Sequence, residues 1–133
     1  MPGPLVALMS KDDKHHQSCV ATLANLSPPL LTCWPVLTET AWLLRKQPAA
    51  LGKLFDAFAA GLLQLLPLEQ ESLPWIASFM HRYETIGAQL ADGALVYLAE
   101  HEGIRTVFTL DRRDFTVYRL KGKRALKIIP EVQ

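Results

Sequence analysis

Apolar residues fall in short blocks closed by proline, glycine or a polar cluster, and the spacing within the blocks switches between helical and strand-like. Pro2-Gly3-Pro4 precedes Leu5-Val6-Ala7-Leu8-Met9, which predicts a turn and then a short helix with Pro4 in its first turn. After a polar break, residues 15–25 have helical spacing, with Cys19, Val20, Leu23 and Ala24 on the apolar face. Ser27-Pro28-Pro29 ends that helix. Leu30-Leu31-Thr32-Cys33 follows as a short apolar run bounded by proline, the pattern of a buried strand. Pro35 starts a helix over residues 36–46, with Val36, Leu37, Thr40, Ala41, Leu43 and Leu44 facing inward. Pro48 opens another over 49–60, and Gly61 is placed to cap its end.

Residues 62–66 read as a second buried strand, closed by Pro67. Ser72 is the expected cap of a helix over 72–85, where Trp75, Ile76, Phe79, Met80 and Tyr83 recur every three or four residues. Gly87 breaks it. Residues 89–101 form the next helix, with Leu95, Val96, Leu98 and Ala99 apolar and Gly103 as the stop. Residues 106–110 are β-branched and aromatic, which favours a strand. A turn and short helix over 111–118 and a final strand over 126–129 complete the series. Strands alternating with helices predict an α/β fold, a parallel sheet with helices on both faces.

The 133 residues suffice for one domain with its own core. The net charge of +1 marks no global affinity for a polyanion, but the charge is unevenly spread. Residues 1–104 hold six Lys/Arg against ten Asp/Glu, whereas residues 105–133 hold eight against three. A basic C-terminal segment thus follows an acidic body. Cys19 and Cys33 fall in apolar elements and are expected to be buried and reduced, which suits a cytoplasmic protein. No apolar run approaches the ~18 residues that span a bilayer, so no membrane is expected.

Three acids stand out by position. Asp111 directly follows a strand, Glu39 lies about one helical turn after another, and Asp92 opens an otherwise apolar helix. In an open α/β sheet such junctions lie at the carboxyl ends of the strands, where ligands bind. Converging carboxylates are hard oxygen ligands for Mg²⁺ or Mn²⁺ and suit phosphodiester hydrolysis. Taken singly, each has a plainer reading: a helix N-terminal acid, a turn aspartate, a solvated glutamate. Asp114 is placed either to cap the short helix or to supply a further ligand through water. The basic run from Arg112 and Arg113 to Lys127 would steer a polyanion toward such a site. His15-His16 lacks an i, i+4 partner for a metal pair, and no glycine-rich phosphate loop is present. Asp12-Asp13 has no strand before it, which disfavours a phospho-acceptor domain. Trp34, Trp42 and Trp75 read as core or interface residues.

At these stretches the chain resembles the PIN-domain family, most of all the VapC-like ribonuclease toxins of toxin–antitoxin pairs. The resemblance rests on Gly3-Pro4-Leu5-Val6-Ala7-Leu8, on residues 31–39 ending in Glu39, on Leu90-Ala91-Asp92-Gly93-Ala94-Leu95-Val96, and on residues 108–115 around Asp111. It implies a three-layer α/β/α sandwich with a central parallel sheet, spanning residues 1–133 as one domain. It also implies Mg²⁺- or Mn²⁺-dependent cleavage of RNA, an antitoxin partner and a homodimer. Carried over by position, Glu39, Asp92 and Asp111 match the family's second, third and fourth acids. Thr109 matches a hydroxyl residue near the site and Asp114 an auxiliary acid; in a ribonuclease, Arg112 and Arg113 are expected near the RNA. The pattern departs at its start, where Met1 stands at the position of the first acid and Pro2 at that of a small polar residue. The opening strand and its acid are therefore expected to be missing. The rival expectation is a catalytically inactive PIN-like module that engages an antitoxin.

Overall fold

The computed structural model describes residues 3–130. Met1 and Pro2, on which the expected departure from the family pattern falls, lie outside the described residues. The chain divides into two compact units, one ending at Leu66 and the other starting at Pro67.

The first unit runs α1 (Gly3–Met9), α2 (His16–Ala24), β1 (Leu30–Thr32), α3 (Trp34–Leu43), α4 (Pro48–Ala59) and β2 (Leu63–Leu65). β1 and β2 pair in parallel, with Leu30 opposite Leu63 and Thr32 opposite Leu65. Parallel neighbours need a crossover, and α3 and α4 supply it. Pro35 and Pro48 sit in the first turns of α3 and α4, where the missing N–H has no helical partner to lose. Gly61, at φ 81°, adopts the left-handed conformation that ends α4 at low steric cost. α1 packs against α2, α3 and α4. The Ser10 hydroxyl donates to Gln47 Oε1 at 2.8 Å, tying the end of α1 to the start of α4.

Three expectations for this unit need correction. On α2 only Cys19 is buried, while Val20 and Ala24 are exposed, so the apolar face is narrower than its spacing suggested. β1 is not buried throughout: the two-residue period turns Leu31 away from Thr32 and leaves it 38% exposed. On α3, Leu43 is exposed rather than facing inward, and Trp34 and Trp42 are exposed too, which leaves the interface as the place open to them of the two expected. The Arg45 guanidinium lies over the Trp42 ring at 3.8 Å.

The second unit runs α5 (Leu73–Arg82), α6 (Leu90–His101), β3 (Thr106–Phe108), α7 (Arg112–Val117), β4 (Arg119–Leu120), β5 (Arg124–Ala125) and β6 (Lys127–Ile129). β3 and β6 are parallel, with Val107 opposite Ile128, whereas β4 and β5 form a small antiparallel hairpin. The parallel pairs of both units fit the α/β class read from the sequence. The hairpin was not anticipated, because its strands are two residues each and its turn is nearly all lysine and glycine. The core of the second unit comprises Phe79, Val96, Ala99, Phe115, Tyr118, Leu120, Leu126 and Ile128. Ser72 does not act as the expected acceptor cap: its hydroxyl instead donates to Glu69 O at 2.7 Å, within a 3₁₀ turn that precedes α5.

α5 and α6 pack closely because Gly93 leaves room for it. A Cβ at Gly93 would lie 3.0 Å from Ile76 Cγ2 and 3.2 Å from Phe79 Cδ1. Gly93→Ala is therefore expected to push the helices apart and cost about 1–3 kcal/mol despite alanine's better helix propensity. Urea denaturation checks this; a variant as stable as the parent would mean the helices yield freely.

Candidate active site

The packing of α5 on α6 buries the first turn of α6, and Asp92 with it. Ala91, Asp92, Gly93 and Ala94 are all buried, and Asp92 is only 2% exposed. A carboxylate there loses its hydration and needs donors. The fully buried Tyr118 supplies one, its hydroxyl donating to Asp92 Oδ2 at 2.7 Å. Asp92 Oδ1 is buried with no partner among the described residues. Burial pushes the Asp92 carboxyl above its ordinary range; the Tyr118 bond and the backbone N–H of Gln89 offset part of that shift, and the charge of Asp111 adds a little to it. The Tyr118 hydroxyl is likewise pushed up, by burial first and then by its bond to Asp92 and the nearby acid charges, so it remains a proton donor.

The second acid is placed by the end of β3. Thr109 N donates to Ile129 O at 2.9 Å, extending the β3–β6 ladder one residue past the strand. The fully buried Thr109 then turns the chain, its Oγ1 accepting from Asp111 N at 3.0 Å. Asp111 Oδ1 accepts in turn from Asp114 N at 3.2 Å, capping α7. Asp111 thus serves as a turn and capping acid, and its charge reaches Asp92.

The other sequence candidates are placed differently. Asp114 is paired with the exposed Arg113, whose Nε lies 3.1 Å from Asp114 Oδ1. Arg112 donates from Nη1 to Pro130 O at 3.0 Å. Glu39 is half-buried on α3, in the first unit. The hydroxyls of its neighbours Thr38 and Thr40 are used within the helix, donating to Trp34 O and Val36 O. Cys19 and Cys33 are buried and unpaired, and burial pushes both thiols up, so neither is a ready nucleophile. Among the described residues no three His, Cys, Asp or Glu side chains are grouped to hold a metal ion. No helix among them is long and apolar enough to cross a membrane.

The model of the PIN domain family matches residues 4–121. The chain belongs to the PIN-domain family. Its fold is similar to that of Mycobacterium tuberculosis VapC20, a sarcin-ricin-loop-cleaving toxin, with a TM-score of 0.75 at 17% identity over 84% of this chain and 88% of that one. No curated protein matches the sequence. In this PIN domain, Asp92 Oδ1 is a buried acceptor without a partner among the described residues, and the neighbour of Oδ2 is the Tyr118 hydroxyl. That donor set fits a hard divalent cation.

Sequence reading missed Tyr118. A tyrosine closing an apolar stretch looks like core, and its partner Asp92 lies 26 residues away. Its ring is indeed core, at 4.8–5.0 Å from those of Phe79, Tyr83 and Phe115. Only its hydroxyl belongs to the site.

Proposed function

We propose that this PIN domain is a metal-dependent ribonuclease of the VapC toxin type, hydrolysing phosphodiester bonds in RNA with Mg²⁺ or Mn²⁺. The observation that supports this best is Asp92: a carboxylate buried in the first turn of α6 with one oxygen held by Tyr118 and the other without a hydrogen-bond partner among the described residues. Such an arrangement is costly for the fold alone and is relieved by a cation.

In this reading Asp92 and Asp111 hold the metal, with Asp114 as a further acid. A bound divalent cation supplies charge to offset the phosphate and to acidify a water. The protein's own part is positional. Tyr118 fixes the rotamer of Asp92 through Oδ2 and leaves Oδ1 free of that bond. Thr109 fixes the turn that presents Asp111. Arg112 and Arg113 supply positive charge beside the acids for the RNA backbone. The exposed Trp34 and Trp42 give α3 the apolar surface that a protein partner would cover, whether an antitoxin or a second copy in a homodimer. The cytoplasm, where RNA is the substrate, is the setting this reading implies.

The test is RNA cleavage by the full chain with Mn²⁺, with EDTA, and with Asp111→Asn. Asparagine caps helices about as well as aspartate, so α7 is kept while a charged ligand is lost. Cleavage is expected only with metal, and at least ~10²-fold slower in the variant, more than outer-shell substitutions usually cost. Metal-independent or variant-independent cleavage would remove the acids from the chemistry. No cleavage by the parent would leave the fold to act as an antitoxin-binding module.

A further inference from the structure

The basic run after Asp111 does not gather at the acids. The fold splits it. Arg112 and Arg113 stay beside Asp111 and Asp114, while Arg119, Lys121 and Lys123 line a separate cleft of about 380 Å³ within the second unit. α5 adds Arg82 and Trp75 to its walls, and α6 adds Glu100. None of the lining residues is one of the candidate site acids, Thr109 or Tyr118.

Four cations around one concavity repel one another unless something answers them. Among the described residues none of the four is in an ion pair, for the two present involve His81 with Glu84 and Arg113 with Asp114. Glu100 is the one carboxylate in the cleft wall, and its oxygens are engaged. Oε2 accepts from Trp75 Nε1 at 3.1 Å, and Oε1 accepts from the backbone N of Lys121. Glu100 therefore fastens the hairpin and the indole in place, and its single charge leaves the cleft strongly positive. Arg119 is also fixed: its Nη1 donates to the carbonyls of Thr116, Val117 and Tyr118, which end α7. The hairpin turn passes through two successive left-handed residues, Gly122 at φ 77° and Lys123 at φ 62°. Left-handed lysine is uncommon, and here it closes the turn that brings Lys121 and Lys123 to the same cleft. The Trp75 ring is held by its stack on Phe79 and its edge contact with Tyr97.

An immobilised indole within a groove of guanidinium and ammonium groups is the chemistry that binds single-stranded nucleic acid: cations track the phosphates, and the aromatic wall takes a base. The volume lies in the range that holds a small ligand, enough for a nucleotide or so of a longer strand. An acidic peptide would use the cations and gain nothing from the indole. We propose that this cleft is a docking site for the phosphodiester backbone of single-stranded RNA, outside the acidic site. It rests on the ribonuclease reading only in naming RNA as the polyanion, and it would hold substrate strand beyond the bond that is cut.

The test is fluorescence anisotropy of a labelled octauridylate with the full chain in EDTA, titrated at several salt concentrations. The parent is compared with a variant carrying Arg82→Gln, Lys121→Gln and Lys123→Gly, and with Lys53→Gln on α4. Glycine at position 123 removes charge without straining the left-handed backbone there, and far-UV circular dichroism of the variant matching the parent separates lost charge from lost folding. The triple variant is expected to bind at least ten-fold more weakly and to show a salt slope shallower by about 2, since each phosphate contact on a single strand contributes roughly 0.7. Lys53→Gln, the loss of an exposed charge that lines neither site, is expected to bind like the parent. Equal binding by the triple variant overturns the proposal. So does polyglutamate competing as well as RNA of equal charge, which would assign the cleft to acidic protein instead. The assay needs no catalysis: a chain that never cleaves can still pass it, and a chain that cleaves can still fail it.

Discussion

Asp92→Asn is expected to raise the thermal midpoint at neutral pH in metal-free buffer while removing metal-dependent cleavage. Burial lifts the Asp92 carboxyl above the ordinary range. Between that range and the lifted value, the folded chain holds a proton that the unfolded chain has released. Stability is therefore highest at and below the ordinary carboxylate range, declines as pH rises through this window, and stays reduced above it. Asparagine has no such proton, so its melting midpoint escapes the decline. The amide keeps an oxygen for Tyr118 and leaves an unpaired N–H₂ where Oδ1 was, a smaller cost than a buried charge. Each 1 kcal/mol moves the midpoint of a chain of this size by roughly 4 °C. Melts from pH 4 to 8 should converge at the acidic end and separate as pH rises, the variant above. A variant that melts lower at pH 8 would show that Asp92 is stabilised by something other than Tyr118.

Tyr118→Phe works the same carboxylate from its other side. The ring contacts with Phe79, Tyr83 and Phe115 are preserved, and only the donor to Asp92 Oδ2 is lost. The carboxylate then loses its one side-chain donor among the described residues, which raises the carboxyl further and costs about 1–3 kcal/mol when it is charged. The neutral acid needs the bond less, so the loss should be smallest at low pH and grow as pH rises through the Asp92 window. If cleavage requires ionised Asp92, the acidic limb of the pH–rate profile should move to higher pH. The rate at neutral pH should fall ~10–100-fold, the usual effect of losing a ligand's supporting hydrogen bond. Activity should return in part at alkaline pH. A uniform drop at all pH values would mean that Tyr118 matters only as packing.

The parts of this fold that could be read along the chain are those whose signals are local. α4 is bracketed by Pro48 and Gly61, and both act as punctuation should, one inside the first turn and one left-handed past the end. Asp111 could be read as a turn acid and is one, since its cap bond reaches only three residues. What failed to show is what depends on distant partners. The β4–β5 hairpin is braced by Glu100 and by the Tyr83 hydroxyl, which accepts from Arg119 N at 3.2 Å, across 36 residues. Ser72 had the right type for a cap, and a preceding 3₁₀ turn drew its hydroxyl elsewhere. The charges of residues 112–123 are contiguous in sequence, so nothing along the chain announced that the fold would divide them.

The two aspartates stand in opposite relations to their own protein. Asp111 closes the front of α7, so a lineage that no longer needed its chemistry would still be penalised for discarding it. Asp92 sits where a leucine or an asparagine would cost the fold less, and neutral drift would remove it early. A descendant that had retired from catalysis would thus keep Asp111 long after Asp92 had gone. Of the two, the buried one is the better witness to a working past.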